Sequence, residues 1–346
     1  MKPGAGRSPR PAGAVRAIPA WPEPVDPPSD QPGPRPFWSV MVPTYNGDVL
    51  LAETLASVLA QDPGPEVMQI EVVDDASTTG DPERVVRDLA GDRVEFFRQP
   101  CNQGAPATFT TCIERARGRW VHILHGDDLV MPGFYDAYRS VIDRHDCAMV
   151  VGPSLRIDGA GATMGRTNVQ PSTDGLLDDP IQTIVMDHAV DFASVVVARW
   201  AYERVGGFHT GLVHANDWHM WTRLALLGDV GYVTEPLARY RRHDASDTTR
   251  LRASSAHIHD ALTTIDLIAD QLDDERAATL RVEARQSLSR SAWHISRSQA
   301  RGGHVRPALV NASWAARLHP SPTTVANVPR VLAVAAARRV RPATGR

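Results

Sequence analysis

The sequence predicts an α/β fold in which a mostly parallel central sheet is flanked by helices and followed by a helical C-terminal region. Three observations carry that prediction. Short apolar runs alternate with segments of helical periodicity from Phe37 to about residue 125, the pattern of strands joined by crossover helices. The ends of three of those runs carry polar clusters in succession: Pro43-Thr44-Tyr45-Asn46, Asp74-Asp75-Ala76-Ser77-Thr78 and His125-Gly126-Asp127-Asp128. After about residue 245 the alternation gives way to long helical periodicity.

Residues 1–36 are rich in Pro, Gly and Ala and hold too few apolar side chains to offset the entropy of ordering them, which predicts a disordered leader. Lys2, Arg7 and Arg10 are followed by prolines rather than by the apolar core of a signal peptide. Order is expected from Phe37, with Trp38 to Val42 a buried parallel strand bounded by Pro43. Helices are expected over 48–60, 82–90 and 105–117, and strands over 69–74, 93–98 and 120–125. In such sheets ligands sit at the carboxyl ends of the strands.

The catalytic unit is expected over 37–250 and a helical region over 251–346. Its helical faces are marked by Ala261, Leu262, Ile265, Leu267 and Ile268, then by Ala292, Trp293 and Ile295. Gly302-Gly303 separates two helical stretches and His319-Pro320 ends the second, as in a helical hairpin. The segment Val328 to Arg341, with Arg330, Arg338, Arg339 and Arg341, reads as a terminal helix, with peripheral contact to an anionic membrane surface as a second reading.

At 346 residues the chain can bury a large core, and its formal charge of -3 lacks the basic field of a nucleic-acid binder. Cys101, Cys112 and Cys147 show no CxxC spacing, which argues against a disulfide framework or a zinc site and suits a reducing cytoplasm. No stretch is long and apolar enough to span a bilayer. A cytoplasmic protein, peripheral at most to the inner membrane surface, is the expectation.

One Asp-Asp pair after a strand is commonly a turn or a helix cap. Two pairs at one edge of a sheet point instead to a nucleotide and metal site. A nucleoside diphosphate leaving group gains negative charge as its bond to the sugar breaks, and Mg²⁺ or Mn²⁺ on hard oxygen ligands can neutralise it. Asp127 is the candidate ligand. Asp74 and Asp75 are candidate acceptors for a base N–H or ribose hydroxyls.

The segments VPTYNGDVLLAETLASVLAQ, EVVDDAST, NQGAPATFTTCIERARGRWVHILHGDDLVMPG, Gly206-Gly207-Phe208, Asn216-Asp217-Trp218 and Tyr240-Arg241-Arg242-His243 stand in an order and spacing that resembles glycosyltransferase family 2, which has the GT-A fold, over most of 38–250. The resemblance implies nucleotide-sugar contacts from Pro43, Thr44, Tyr45, Asn46, Asp74 and Asp75, and metal-diphosphate contact from Asp127 with Asp128 beside it. It implies an acceptor-side base at Asp217, which could alternatively cap its helix, and a metal-side histidine at His243. Asn102 and Gly104 belong to a turn read mainly as structural, with contact to the nucleotide as a second reading. Trp218 and Trp221 could stack on a sugar or pack in the core, and His209, His214 and His219 match no familiar zinc spacing.

Departures from the family pattern are specific. His125 replaces the first acid of Asp-x-Asp, Asn216 replaces the acid before the base, and Phe109-Thr110 replaces an Arg-Asn pair. The Gln-x-x-Arg-Trp motif of processive synthases does not follow Asp217, which favours transfer of a single sugar. The reading is an inverting transfer from a nucleotide-diphosphate sugar to a carbohydrate, lipid-linked or other hydroxyl acceptor. A sugar nucleotidyltransferase would need a glycine-rich basic loop where Pro-Thr-Tyr-Asn-Gly-Asp stands, and a catalytically silent nucleotide- or sugar-binding module is the remaining rival.

Overall fold

Seven consecutive buried residues make β1 (Trp38–Thr44), and a second run of seven makes β2 (Met68–Asp74). Strands covered on both faces are what continuous apolar runs predict. The structure, a computed structural model, describes residues 35–167, 171–186, 190–242 and 256–320. The predicted leader up to residue 34, His243 and the segment Val328 to Arg341 lie outside the described residues.

Between the first strands lie α1 (Asp48–Leu59), α2 (Pro82–Ala90), β3 (Glu95–Arg98), α3 (Ala105–Arg115) and β4 (Trp120–Ile123), each within a few residues of its expected bounds. Proline at the first helical position and Asp81, whose side chain accepts from Arg84 N, start α2. The turn from α3 to β4 runs against β1 so closely that a Cβ on Gly118 would meet the Trp38–Ser39 backbone at 2.5 Å.

The next elements are β5 (Leu129–Val130), α4 (Phe134–Ile142), β6 (Met149–Val151), β7 (Ser154–Ile157), β8 (Thr163–Arg166) and β9 (Gly175–Leu176). After them come β10 (Val195–Ala198), α5 (Arg199–Val205), α6 (Asn216–Leu227), β11 (Val230–Tyr232) and β12 (Ala238–Arg241). The main sheet has the order β3-β2-β1-β4-β10-β6-β11-β9. Its first four strands are parallel, as is the β6–β11 pair, whereas β10 runs antiparallel to both neighbours and β9 to β11.

A second sheet, β5-β12-β7-β8, was not foreseen. Its strands are two to four residues long, too short for alternation to register as a pattern. It matters for the site because the His125–Asp128 turn leaves the main sheet at β4 and enters this one at β5.

The C-terminal helices are α7 (Ala256–Ala269), α8 (Asp274–Arg301) and α9 (Val305–Leu318). Asp273 caps α8 by accepting from Arg276 N, and the Gly302-Gly303 turn, with Gly303 at φ 81°, folds α9 back onto it as a hairpin. Ser289 and Ser296 donate to the carbonyls of Ala315 and Ala308 at 2.7 Å, and alanines at the contact allow that approach. These helices are not detached. Ile265, Ile268 and Leu280 share one continuous apolar core with the strands of the main sheet.

Candidate functional site

The loops after β1 and β2 brace each other. Asn46, in the left-handed region at φ 55°, accepts at its side chain from Thr78 N (2.8 Å) and Thr79 N (3.0 Å), and its own N–H donates to Ser77 Oγ. Asparagine tolerates that backbone better than most residues. Pro43 and Thr44 are buried beneath the loop, while Tyr45 is 49% exposed.

Asp74 and Asp75 were expected to face the nucleotide; both are buried and already hold donors from this chain. Asp74 accepts from Arg98 Nε at 2.7 Å and from the N–H and hydroxyl of Ser77. Asp75 accepts from Gln99 Nε2 (2.7 Å), Gln103 N (2.8 Å) and Gly104 N (2.9 Å), and its carbonyl accepts from Asn102 Nδ2. Gly104 sits at φ 85°, which favours glycine. The carboxylate of Asp75 thus builds the Asn102–Gly104 turn, and the exposed groups around it are Tyr45, Asn46, Thr78, Thr79 and Asn102.

In the acidic turn, one ligand atom each from His125, Asp127 and Asp128 lie within 4.8 Å of one another. Asp128 is fully buried; its Oδ1 accepts from Arg241 N at 2.8 Å and its Oδ2 has no hydrogen-bond partner among the described residues. Burial first, and the Asp127 charge next, push its carboxyl well above the usual range. A buried carboxylate oxygen left without a donor, beside a second carboxylate and an imidazole, fits a divalent cation. Arg241 locks the turn from the second sheet: its guanidinium donates to the Asp127 carbonyl (2.9 Å), the Gly159 carbonyl (3.1 Å) and Glu53 (2.6 Å).

His125 stacks on Phe109, with ring centroids 5.0 Å apart and planes 14° apart, and lies 4.3 Å from the ring of Phe192. Two of the departures from the family pattern therefore touch each other: a histidine in place of an acid meets a phenylalanine in place of an arginine.

Asp217 lies in the first turn of α6 rather than at its cap, and its Oδ1 accepts the neighbouring Trp218 N–H at 2.7 Å. The loop that leads into α6 is held from the C-terminal region. Asp260 of α7 accepts from Val213 N (3.0 Å), His214 N (2.8 Å) and Ala215 N (2.6 Å). Burial raises the Asp217 carboxyl from 3.8 to about 6, the charges of Asp191 and Asp260 push the same way, and the Trp218 N–H opposes them.

Asp191 ties the two acidic groups together. Held by Arg156 at 3.2 Å and by the Ser154 hydroxyl, it is close enough to raise both Asp128 and Asp217. The next residue, Phe192, bridges His125 to Trp221, one helical turn beyond Asp217, at 5.1 Å from the latter ring. The acidic turn and the candidate base thus share one region of the molecule.

Trp218 is buried and donates Nε1–H to the Val185 carbonyl at 3.1 Å, which gives it a packing role; Trp221 is buried among Phe192 and Phe208. His209 and His219 meet edge to face at 5.7 Å, and among the described residues neither joins a metal-binding group. Arg241, Asp191, Asp260 and Phe192 escaped the sequence reading. Arg241 stood inside a matched motif, while the other three have partners remote in sequence and carry no local pattern.

A sheet with polar loops at its parallel strand ends, and an acidic turn that leads into a second sheet, have the architecture of transferases with the GT-A fold. Residues 39–211, half of the chain, match the pattern of Glycosyl transferase family 2, and the chain belongs to that family and is a glycosyltransferase. EpsE, a putative glycosyltransferase of Bacillus subtilis, is 24% identical over 234 residues, spanning 66% of this chain and 80% of its own. An uncharacterized Mycobacterium tuberculosis protein is 25% identical over 239 residues, 65% of this chain and 73% of its own.

Among solved structures, S. aureus TarS 1-349 superposes with a TM-score of 0.55 at 17% identity, covering 88% of this chain and 91% of that one. It has also been crystallised with UDP and with UDP-GlcNAc. The mannosyltransferase PcManGT of Pyrobaculum calidifontis, in complex with GDP-Man and Mn²⁺, superposes with a TM-score of 0.50 at 21% identity, covering 92% and 91%. Both likenesses concern the fold. No helix among the described residues is long and apolar enough to cross a membrane.

Proposed function

We propose that the protein transfers a single sugar, with inversion, from a nucleotide-diphosphate donor to a hydroxyl acceptor, and that Asp217 is the base. The observation that carries this reading is a half-buried carboxyl raised to about 6, in the same region as the acidic turn. A carboxylate of that basicity takes a hydroxyl proton more readily than an ordinary aspartate and is still ionised at neutral pH. The donor complexes of the structural neighbours agree with a nucleoside-diphosphate sugar.

The exposed rim of Tyr45, Asn46 and Thr78 receives the nucleoside, over a floor stiffened by Asp74 and Asp75. A divalent cation, Mg²⁺ or Mn²⁺, would be held by Asp127 and Asp128 beside His125, where it would neutralise charge on the departing diphosphate. Arg241 keeps the Asp127 backbone in place for that task. Asp217 orients the acceptor hydroxyl and receives its proton as oxygen attacks the anomeric carbon.

The test is a panel of nucleotide sugars with Mn²⁺, read by transfer and by calorimetry. Asp217→Asn should lower turnover by about 10²- to 10⁴-fold while donor affinity stays within error, and Asp127→Ala should lose the Mn²⁺-dependent part of donor binding. Equal loss of affinity and turnover in Asp217→Asn would remove the base assignment; unchanged Mn²⁺-dependent binding in Asp127→Ala would remove the metal assignment.

A further inference from the structure

The formal charge of -3 conceals a strong polarity. Of 37 Lys and Arg, 11 fall in residues 284–346, a stretch that holds none of the 40 Asp and Glu, so the first 283 residues carry -14. Within the described part of that stretch, Arg285, Arg290, Arg297, Arg301, Arg306 and Arg317 are all exposed. None of the six is in an ion pair with a described residue. One turn before the stretch the pattern differs: Arg281 lies 3.5 and 3.3 Å from Asp266 and Asp270.

Arg290, His294, Arg297 and Arg301 recur at i, i+4, i+7 and i+11 on α8, so they form one row. The row runs roughly 16 Å along the helix. With Trp293 and Ser298 these side chains line an open groove. Trp293 stands between the row and the hairpin's own apolar contact at Ala300 and Ala308. An indole so placed has one edge in the apolar layer and one beside the cations, as interfacial tryptophans do.

We propose that this arginine face of α8 docks on an anionic phospholipid bilayer. The cations of the row have no ion-pair partner among the described residues, and clustering them costs self-repulsion that the fold does not recover. A planar anionic surface meets only this end of the molecule and leaves the body of charge -14 in water. A long soluble polyanion able to wrap would be repelled by that body. The surface is a row rather than a closed pocket, which suits many headgroups at one plane better than a single bound phosphate.

Co-sedimentation of the full chain with vesicles tests this independently of catalysis. Binding is expected to phosphatidylcholine–phosphatidylglycerol vesicles, not to phosphatidylcholine alone, and should weaken as salt rises. At about 1 kcal/mol for each arginine near the surface, the triple variant Arg290→Gln, Arg297→Gln, Arg301→Gln should bind about 100-fold more weakly. Its melting temperature should match wild type, since all three side chains are exposed.

Absence of wild-type binding to the mixed vesicles would overturn the proposal. So would equal binding by the triple variant, which would move the contact to Arg330–Arg341. Row-dependent binding of polyphosphate that outcompetes the vesicles would assign the face to a soluble polyanion instead.

Discussion

At the scale of single residues, Asp217 owes its chemistry to its surroundings. Burial, with the negative charges of Asp191 and Asp260, raises its carboxyl from 3.8 to about 6. In the proposed role as base Asp217 must be deprotonated to act, so activity should be lost as pH falls through the raised value and retained above it. Initial rates from pH 4.5 to 8 should therefore rise with a midpoint near 6, and Asp191→Asn, by removing one of the charges, should shift that midpoint down. A midpoint near 4 in the wild type would remove Asp217 from the proton transfer. The identity of Asp217 was legible in Asn216-Asp217-Trp218, but its basicity was not, because Asp191 and Asp260 are distant in sequence.

The elements show where local pattern suffices. Helices α1 to α3 begin at Gly47, Asp81 and Gly104, and α2 also ends at Gly91, so their starts could be read from the chain. Helix α6 breaks the rule: its N-terminal Ala215 has no side-chain cap, and the Val213–Ala215 segment that leads into it is held by Asp260, 45 residues away from Ala215. A hydrogen bond to a charged group contributes about 1.5 to 3 kcal/mol. Three N–H groups share this carboxylate, so Asp260→Ala should lower stability by about 2 kcal/mol in urea unfolding. Because α6 carries Asp217, turnover should fall more than donor affinity; unchanged turnover would show that Asp260 supports the fold alone.

For the whole molecule, the boundary expected near residue 250 is not a break in packing. Ile265, Ile268 and Leu280 lie in the same apolar core as β1, β2 and β4. Truncating a fully buried isoleucine costs about 2 to 5 kcal/mol. Ile265→Ala should therefore lower a single calorimetric transition that carries nucleotide-sugar binding with it. Two transitions, with the binding one unmoved, would mean that the helical region folds apart from the sheet.

The alternation of strands and helices, the polar clusters at three strand ends and the family were determined by the sequence alone. Periodicity and turn chemistry are properties of neighbouring residues, and a motif keeps its order along the chain. Tertiary structure decided the second sheet, the clamp of Arg241 on the acidic turn, the inward commitment of Asp74 and Asp75, and the meeting of Asp191 and Asp260 near Asp217. Those depend on burial and on charges brought together through space, and neither is a property of any short stretch of sequence.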